Sequence, residues 1–333
     1  MTIREVRIAI IIVNCDDGSL LDRGIASIAE QTLPPSEIVL VGDKIHGSHS
    51  STVSWWVRDC PVRSVSTAKS CLATRRNLGV AHSTADYIAF LDPGDQWLPS
   101  HLEELAKPFL ITRVHPLGWA FGDFDMVDDS GVVSVHKVLQ HVGFAHPIRD
   151  VYTFLAGKAL AFLSTSIISR KAFDAINGFD ELLIDYGDED LFLRMFRHGY
   201  DNVFISKSLT RQRQFFPPRG DLPDGHLIYL EKLLQMFPDE PGLKQRSFAR
   251  ALLAPRFFSA MISTCKVEIA NGRPDAAMKA LRSLGFVASL YHVTKRPLMK
   301  AIVALFWARL LIRMIRLHVQ RRILVSMRTF RLR

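Results

Sequence analysis

Apolar positions follow two rhythms along the chain. Up to residue 215, short apolar runs alternate with helical patterns; beyond it the helical period dominates. Ile8-Ala9-Ile10-Ile11-Ile12-Val13 is an unbroken, β-branched run, the mark of a strand buried on both faces. Seven residues from the amino terminus and six residues long, it is too short for a secretory core and reads as the start of the fold itself. The turn Asn14-Cys15-Asp16-Asp17-Gly18 follows. A helix is then predicted over Leu20–Glu30, with Leu21, Ile25, Ile28 and Ala29 on one face. Pro34-Pro35 stops it, and Glu37–Val41 is a second strand, which completes a β-α-β unit with a right-handed crossover. Further strands are predicted at Val62–Ser66, Tyr87–Leu91, Gly118–Phe121, Val132–Lys137 and Ala159–Ser169. Helices are predicted at Cys71–Ala81, Leu98–Leu110, Lys171–Ile176 and Asp188–His198. After Phe215-Phe216-Pro217-Pro218 come helices at Leu227–Phe237, Lys244–Asn271 and Pro274–Leu284. The pattern predicts an α/β domain over 1–215 with a mostly parallel central sheet flanked by helices, a helical region over 216–295 and a tail over 296–333.

Charge sharpens this division. The chain of 333 residues carries a net charge of +9, yet no Asp or Glu occurs after Asp275, and residues 276–333 hold 13 Lys and Arg. The rest is slightly acidic, with 29 basic against 33 acidic residues. The basic character therefore belongs to the tail and does not describe the α/β domain. Cys15, Cys60, Cys71 and Cys265 show no paired spacing and read as reduced thiols, which points to the cytoplasm.

Candidate chemistry gathers at two acidic stretches. Asp92-Pro93-Gly94-Asp95 stops the strand Tyr87–Leu91 abruptly, and the carboxyl edge of an open α/β sheet is where ligands bind. Two carboxylates on a short rigid turn suit Mg²⁺ or Mn²⁺ held together with substrate phosphates. The same residues also make an ordinary surface turn. Gly187-Asp188-Glu189-Asp190 opens a helix, where the helix dipole alone favours acids. In the tail, Arg309, Arg313, Arg316 and Gln320 share one helical face, and Leu310, Leu311, Met314, Ile315 and Leu317 cover the remainder. Ala301–Ala308 is too short to cross a bilayer, so Pro297–Val325 reads as an interfacial helix on an anionic membrane. Docking on protein is its rival, and its apolar bulk argues against nucleic acid.

Four stretches in order give the chain a resemblance to the family 2 glycosyltransferases, nucleotide-sugar enzymes of the GT-A fold that invert the transferred sugar. They are Ile8–Val13 with Asn14; Glu37–Asp43; Arg76-Asn77-Leu78-Gly79 with Ala85–Asp95 and Pro99; and Gly178-Phe179-Asp180-Glu181 with Gly187–Arg194. The resemblance covers residues 6–210. It implies a nucleotide base near Asn14 and Asp16, with Asp43 accepting a hydrogen bond from uracil or ribose. Arg76 would meet the diphosphate. Either Asp92 would contact the ribose and Asp95 a divalent Mn²⁺ or Mg²⁺, or both would bind the ion through water. Asp190 would be the catalytic base and Glu189 its neighbour. The implied acceptor is a glycan or lipid-linked glycan, as in polysaccharide or surface-glycan synthesis at the inner face of the cell membrane. The chain departs from the family at Gly42 and Gly94, where acids are usual. It also has Lys207–Arg213 where a metal-binding histidine often stands, so that Arg211 or Arg213 would neutralise the diphosphate. These departures are what a non-catalytic member, acting as a membrane-bound scaffold or sugar-binding module, would show.

Overall fold

The unbroken apolar runs become the parallel half of a sheet. The structure is a computed structural model that describes residues 2–13, 18–43, 57, 60–67, 71–128, 130–143, 146–157, 162–183, 185–213, 223–238, 248–291, 295–308 and 312. Strands β1 (Ile8–Val13), β2 (Glu37–Gly42), β3 (Val62–Ser66) and β4 (Tyr87–Phe90) lie in the order β3-β2-β1-β4, each parallel to its neighbour. All of β1 is buried, as a strand with both faces covered requires. Helix α1 (Gly18–Ala29) joins β1 to β2, and α2 (Leu72–Ala81) joins β3 to β4. Gly79 of α2 lies so near β1 that a Cβ there would stand 2.4 Å from Ile11 Cγ2; the close approach requires glycine.

The remaining strands are β5 (Gln96–Trp97), β6 (Leu117–Val127), β7 (Val133–Val135), β8 (Ser166–Ser169) and β9 (Asp201–Arg213). They extend the sheet as β4-β8-β6-β9-β5, with β7 beside β6. β8 runs against both β4 and β6, β6 and β9 are parallel, and β5 and β7 are antiparallel to their partners. The sheet is therefore parallel on one side and mixed on the other. Between these strands lie α3 (His101–Ala106), α4 (Val138–His141), α5 (Val151–Leu155), α6 (Arg170–Ala175) and α7 (Gly187–Arg197).

Several elements differ from the sequence pattern. β6 runs on past Phe121 through Asp123 and Asp125. Asp123 is fully buried because its carboxylate accepts hydrogen bonds from the backbone N–H groups of Phe124, Leu139 and Gln140, satisfying the start of α4. β9, thirteen residues long, was not expected as a strand; most of its polar side chains lie exposed or half-buried along it, while Asn202 and Thr210 are buried. Within the expected strand Ala159–Ser169, only Ser166–Ser169 is extended, after a 3₁₀ turn at Leu163–Thr165, and residues 158–161 lie outside the described residues. The helix expected over Leu98–Leu110 is α3 followed by a 3₁₀ turn at Lys107–Leu110, because Pro108 has no N–H to continue it.

The chain divides into two compact units, Met1–Phe216 and Pro217–Arg333. The second holds α8 (Pro223–Met236), α9 (Phe248–Ala270) and α10 (Pro274–Leu290), around a core that includes Phe257, Met261, Cys265, Leu281 and Leu284. His226 of α8 and Thr264 of α9 join by a buried hydrogen bond of 2.9 Å. Among the described residues no helix is long and apolar enough to cross a membrane. Cys60, Cys71 and Cys265 are unbridged.

Candidate active site

The turn after β4 follows from its four residues. Asp95 N–H donates to the Asp92 carbonyl at 3.1 Å, and Gly94 adopts φ 98°. Pro at the second position and a left-handed glycine at the third are the type II pattern. A side chain at residue 94 would be strained there, so the backbone conformation itself favours the glycine.

Asp92 projects from this turn, 40% exposed, and Arg76 Nη2 donates to its Oδ1 at 3.1 Å. Arg76, on α2 and only 7% exposed, also donates through Nη1 to Asp188 Oδ1 at 2.7 Å. One planar fork thus ties the carboxyl edge of the sheet to the first turn of α7. The Phe179 ring lies 5.4 Å from the guanidinium carbon and closes its other side. Burial opposes the Arg76 charge, but Asp188 and Asp92 outweigh it and raise its pKa further. Asp188 is 33% exposed. Burial of the rest of the group pushes its pKa up; Arg76 pulls it back without restoring the ordinary value, and Asp92 adds to the rise. The cluster sets two carboxylates against one cation, an arrangement suited to receiving a proton or a further cation.

The neighbouring carboxylates turn inward. Asp95 is 7% exposed; its oxygens accept from Gln212 Nε2 at 3.3 Å and Arg213 N at 3.4 Å. Burial, then repulsion from Asp92, raises its pKa to about 7. Asp95, expected as a metal ligand, here fastens the end of β9 to the turn. Asp190 is fully buried, with Oδ2 accepting from Arg194 Nε at 2.7 Å, and Arg194 Nη1 donating to the Ile176 carbonyl at 2.6 Å. The carboxylate expected as the catalytic base thus faces the interior, against Arg194. Successive residues turn by about 100° on a helix, which puts Asp188 and Asp190 on opposing faces. Tyr186, left-handed at φ 63°, leads into this turn. The sequence carried one signal for this: Asp190 and Arg194 have the i, i+4 spacing of an ion pair.

Asn77 is a further residue whose role the pattern did not reveal. Its amide mimics a backbone pairing with Phe179, accepting from Phe179 N at 2.9 Å and donating to Phe179 O at 3.0 Å. Thr74, one turn earlier, donates to Glu181 Oε2 at 2.9 Å. Gly178 has φ 65°, and a Cβ on it would stand 2.6 Å from Asn77 Oδ1. These contacts join α2 to the segment that leads into α7, and so set Arg76 against Asp188. Asp43 is half-buried just past β2, two strands from β4 in the sheet order. Glu189 is half-buried between Asp188 and Asp190. Asn14 and Asp16 lie outside the described residues. Arg211 pairs with Gln96 along β9 and β5. Among the described residues, no three His, Cys, Asp or Glu side chains converge to hold a metal ion.

Residues 8–153 match the sequence profile of Glycosyl transferase family 2. Over 143 residues the chain is 31% identical to the amylovoran biosynthesis glycosyltransferase AmsB of Erwinia amylovora. The match takes 41% of this chain and 45% of that protein, so less than half of the relative's length is spanned. Among solved structures, S. aureus TarS 1–349 superposes with a TM-score of 0.60 at 15% identity, covering 89% of this chain and 86% of that one. The mannosyltransferase PcManGT of Pyrobaculum calidifontis, solved with GDP-Man and Mn²⁺, gives 0.50 at 15% identity, with 93% and 85% covered. At these identities the likeness is one of fold, and the fold is GT-A.

Proposed function

We propose that this chain, whose residues 8–153 match the Glycosyl transferase family 2 profile, transfers a sugar from a nucleoside diphosphate donor to a glycan or lipid-linked glycan with inversion. The observation that carries the reading is the Arg76–Asp92–Asp188 cluster at the carboxyl edge of the sheet. TarS has been solved with UDP and with UDP-GlcNAc, and PcManGT with GDP-Man, which supports a donor of this class. AmsB, named for amylovoran synthesis, supports a polysaccharide acceptor.

In this reading Asp188 is the general base. An acceptor hydroxyl attacks the anomeric carbon, its proton passes to the Asp188 carboxylate, and the bond from that carbon to the diphosphate oxygen breaks. Net displacement on the face opposite the leaving group inverts the centre. A base works best when its pKa lies near the operating pH, and the upward shift of Asp188 acts in that direction. Arg76 keeps the carboxylate oriented. Asp43 and Asp92 would take the nucleoside and ribose side.

The residues fit a divalent ion only as one shared with the donor. Mg²⁺ or Mn²⁺ commonly takes one or two protein carboxylates and completes its shell with phosphate oxygens and water. Asp92 is exposed enough to be such a ligand; Asp95 is not. When bound, the ion would supply positive charge at the diphosphate. A non-catalytic sugar-binding role is the second reading, favoured by the inward turn of Asp95 and by Gly94 in the place of an acid. The tail would hold the protein to the inner face of the cell membrane, where a lipid-linked acceptor shares the surface.

Release of nucleoside diphosphate from a panel of UDP- and GDP-sugars, with and without Mn²⁺, tests the proposal. Turnover with at least one donor and a glycan acceptor is expected. Saturable nucleotide binding with no release from any donor would favour the second reading.

A further inference from the structure

The helix over 296–308 and residue 312 carries an apolar stripe that nothing in its own fold requires. It packs through Val303, with Met299, Ile302 and Phe306 half-buried beside it. Leu298, Leu305 and Ile312 point elsewhere, exposed by 61%, 64% and 52%. Ala301 and Ala308 are exposed too. At 3.6 residues per turn Leu298, Ala301, Leu305 and Ala308 fall within an arc of about 80°, opposite Val303. Lys295 and Lys300, both exposed, flank the stripe. Large exposed apolar side chains aligned at seven-residue spacing mark a contact surface.

Three kinds of partner meet an apolar face rimmed with cations, and charge chooses among them. A second copy would bring together two segments that each hold 13 basic residues and no acid over 276–333, a repulsion without compensating pairs. Nucleic acid would answer the charge but leave leucines and isoleucine against a polar backbone. An anionic bilayer answers both, because its headgroups attract Lys and Arg while its acyl boundary accepts the apolar side chains. The helices described cannot cross a bilayer, so this one lies along it. We propose that the stripe Leu298-Ala301-Leu305-Ala308-Ile312 is the surface that enters the headgroup layer of an anionic membrane. This names the contact for the peripheral localisation given to the tail, and its test involves no turnover, so failure here leaves the catalytic reading untouched.

The experiment is co-sedimentation of the full chain with vesicles of phosphatidylcholine alone and of phosphatidylcholine with phosphatidylglycerol, at low and high salt. The chain should bind the phosphatidylglycerol vesicles at low salt and largely leave pure phosphatidylcholine and high salt. Leu298→Gln/Leu305→Gln/Ile312→Gln, all at exposed positions, should keep its circular dichroism and lose about tenfold or more of the binding. Equal binding by the triple variant would overturn the proposal, because charge alone would then suffice. So would indifference of the full chain to either vesicle, or a concentration-dependent dimer that the triple variant abolishes. As a check that does not depend on the triple variant's folding, Ala301→Trp places an indole in the stripe. Its emission should move to the blue on phosphatidylglycerol vesicles; an unchanged spectrum would refute the assignment.

Discussion

Two short segments, the turn after β4 and the first turn of α7, solve the same problem in the same way. Each offers an outward and an inward carboxylate: Asp92 and Asp95 in one, Asp188 and Asp190 in the other. The outward pair shares a single arginine, Arg76. The inward pair fastens structure, Asp95 to the end of β9 and Asp190 to Arg194. The difference teaches that acids grouped in sequence divide their labour by orientation, and that exposure, rather than adjacency, separates chemistry from support.

Substitutions should break the outward and inward groups differently. Asp188→Asn keeps shape and removes the proton acceptor; transfer should fall on the order of 10²–10⁴-fold, with melting temperature nearly unchanged. Asp190→Ala leaves Arg194 facing a buried void where its partner was. Breaking a buried pair costs on the order of 3–5 kcal/mol, to be read in denaturant unfolding, while turnover per folded molecule should hold within a small factor. A catalytic collapse in Asp190→Ala at full stability would reverse the two roles.

Asp95 sharpens the comparison through pH. Its folded pKa is raised to about 7 by burial, so the folded state keeps a proton that the unfolded chain gives up near pH 4. The stability this contributes is complete below pH 4 and is lost as pH rises through 7. Asp95→Asn cannot ionise and should escape the loss: relative to it, the wild type should weaken by on the order of 2 kcal/mol between pH 5 and pH 8. Parallel pH–stability curves for the two proteins would show that Asp95 does not titrate inside the fold. The smallest effect is expected at Asn77→Ala, which unmakes two hydrogen bonds to the Phe179 backbone. A loss of about 1–2 kcal/mol should come with a drop in turnover larger than any change in nucleotide affinity, since the joint sets Arg76 against Asp188.

Much of this was legible in the residues. β1, β2 and β4 are apolar runs with few alternatives, and Asp92-Pro93-Gly94-Asp95 specifies its own turn. The long strands β6 and β9 were not, because local pattern penalises a strand that carries Asp123, Asp125, Ser208 and Thr210. Their polar groups are satisfied by distant backbone and side chains, as when Ser208 Oγ donates to Asp125 Oδ1 at 2.6 Å. Nor does spacing say which carboxylate of Asp188, Glu189 and Asp190 meets Arg76, which lies 112 residues away from Asp188 in sequence. That depends on the Asn77 joint, a feature of tertiary structure.

The central claim is that Asp188, held by Arg76, accepts the proton, and the acid limb of the pH–rate profile measures it most directly. In the wild type Arg76 partly offsets the upward push that burial gives Asp188. Arg76→Gln removes that offset, so Asp188 should hold its proton to higher pH and the acid limb of kcat/KM should move upward, beyond any fall in the plateau. The same limb in Arg76→Gln and wild type, or a limb that moves down, would contradict the account.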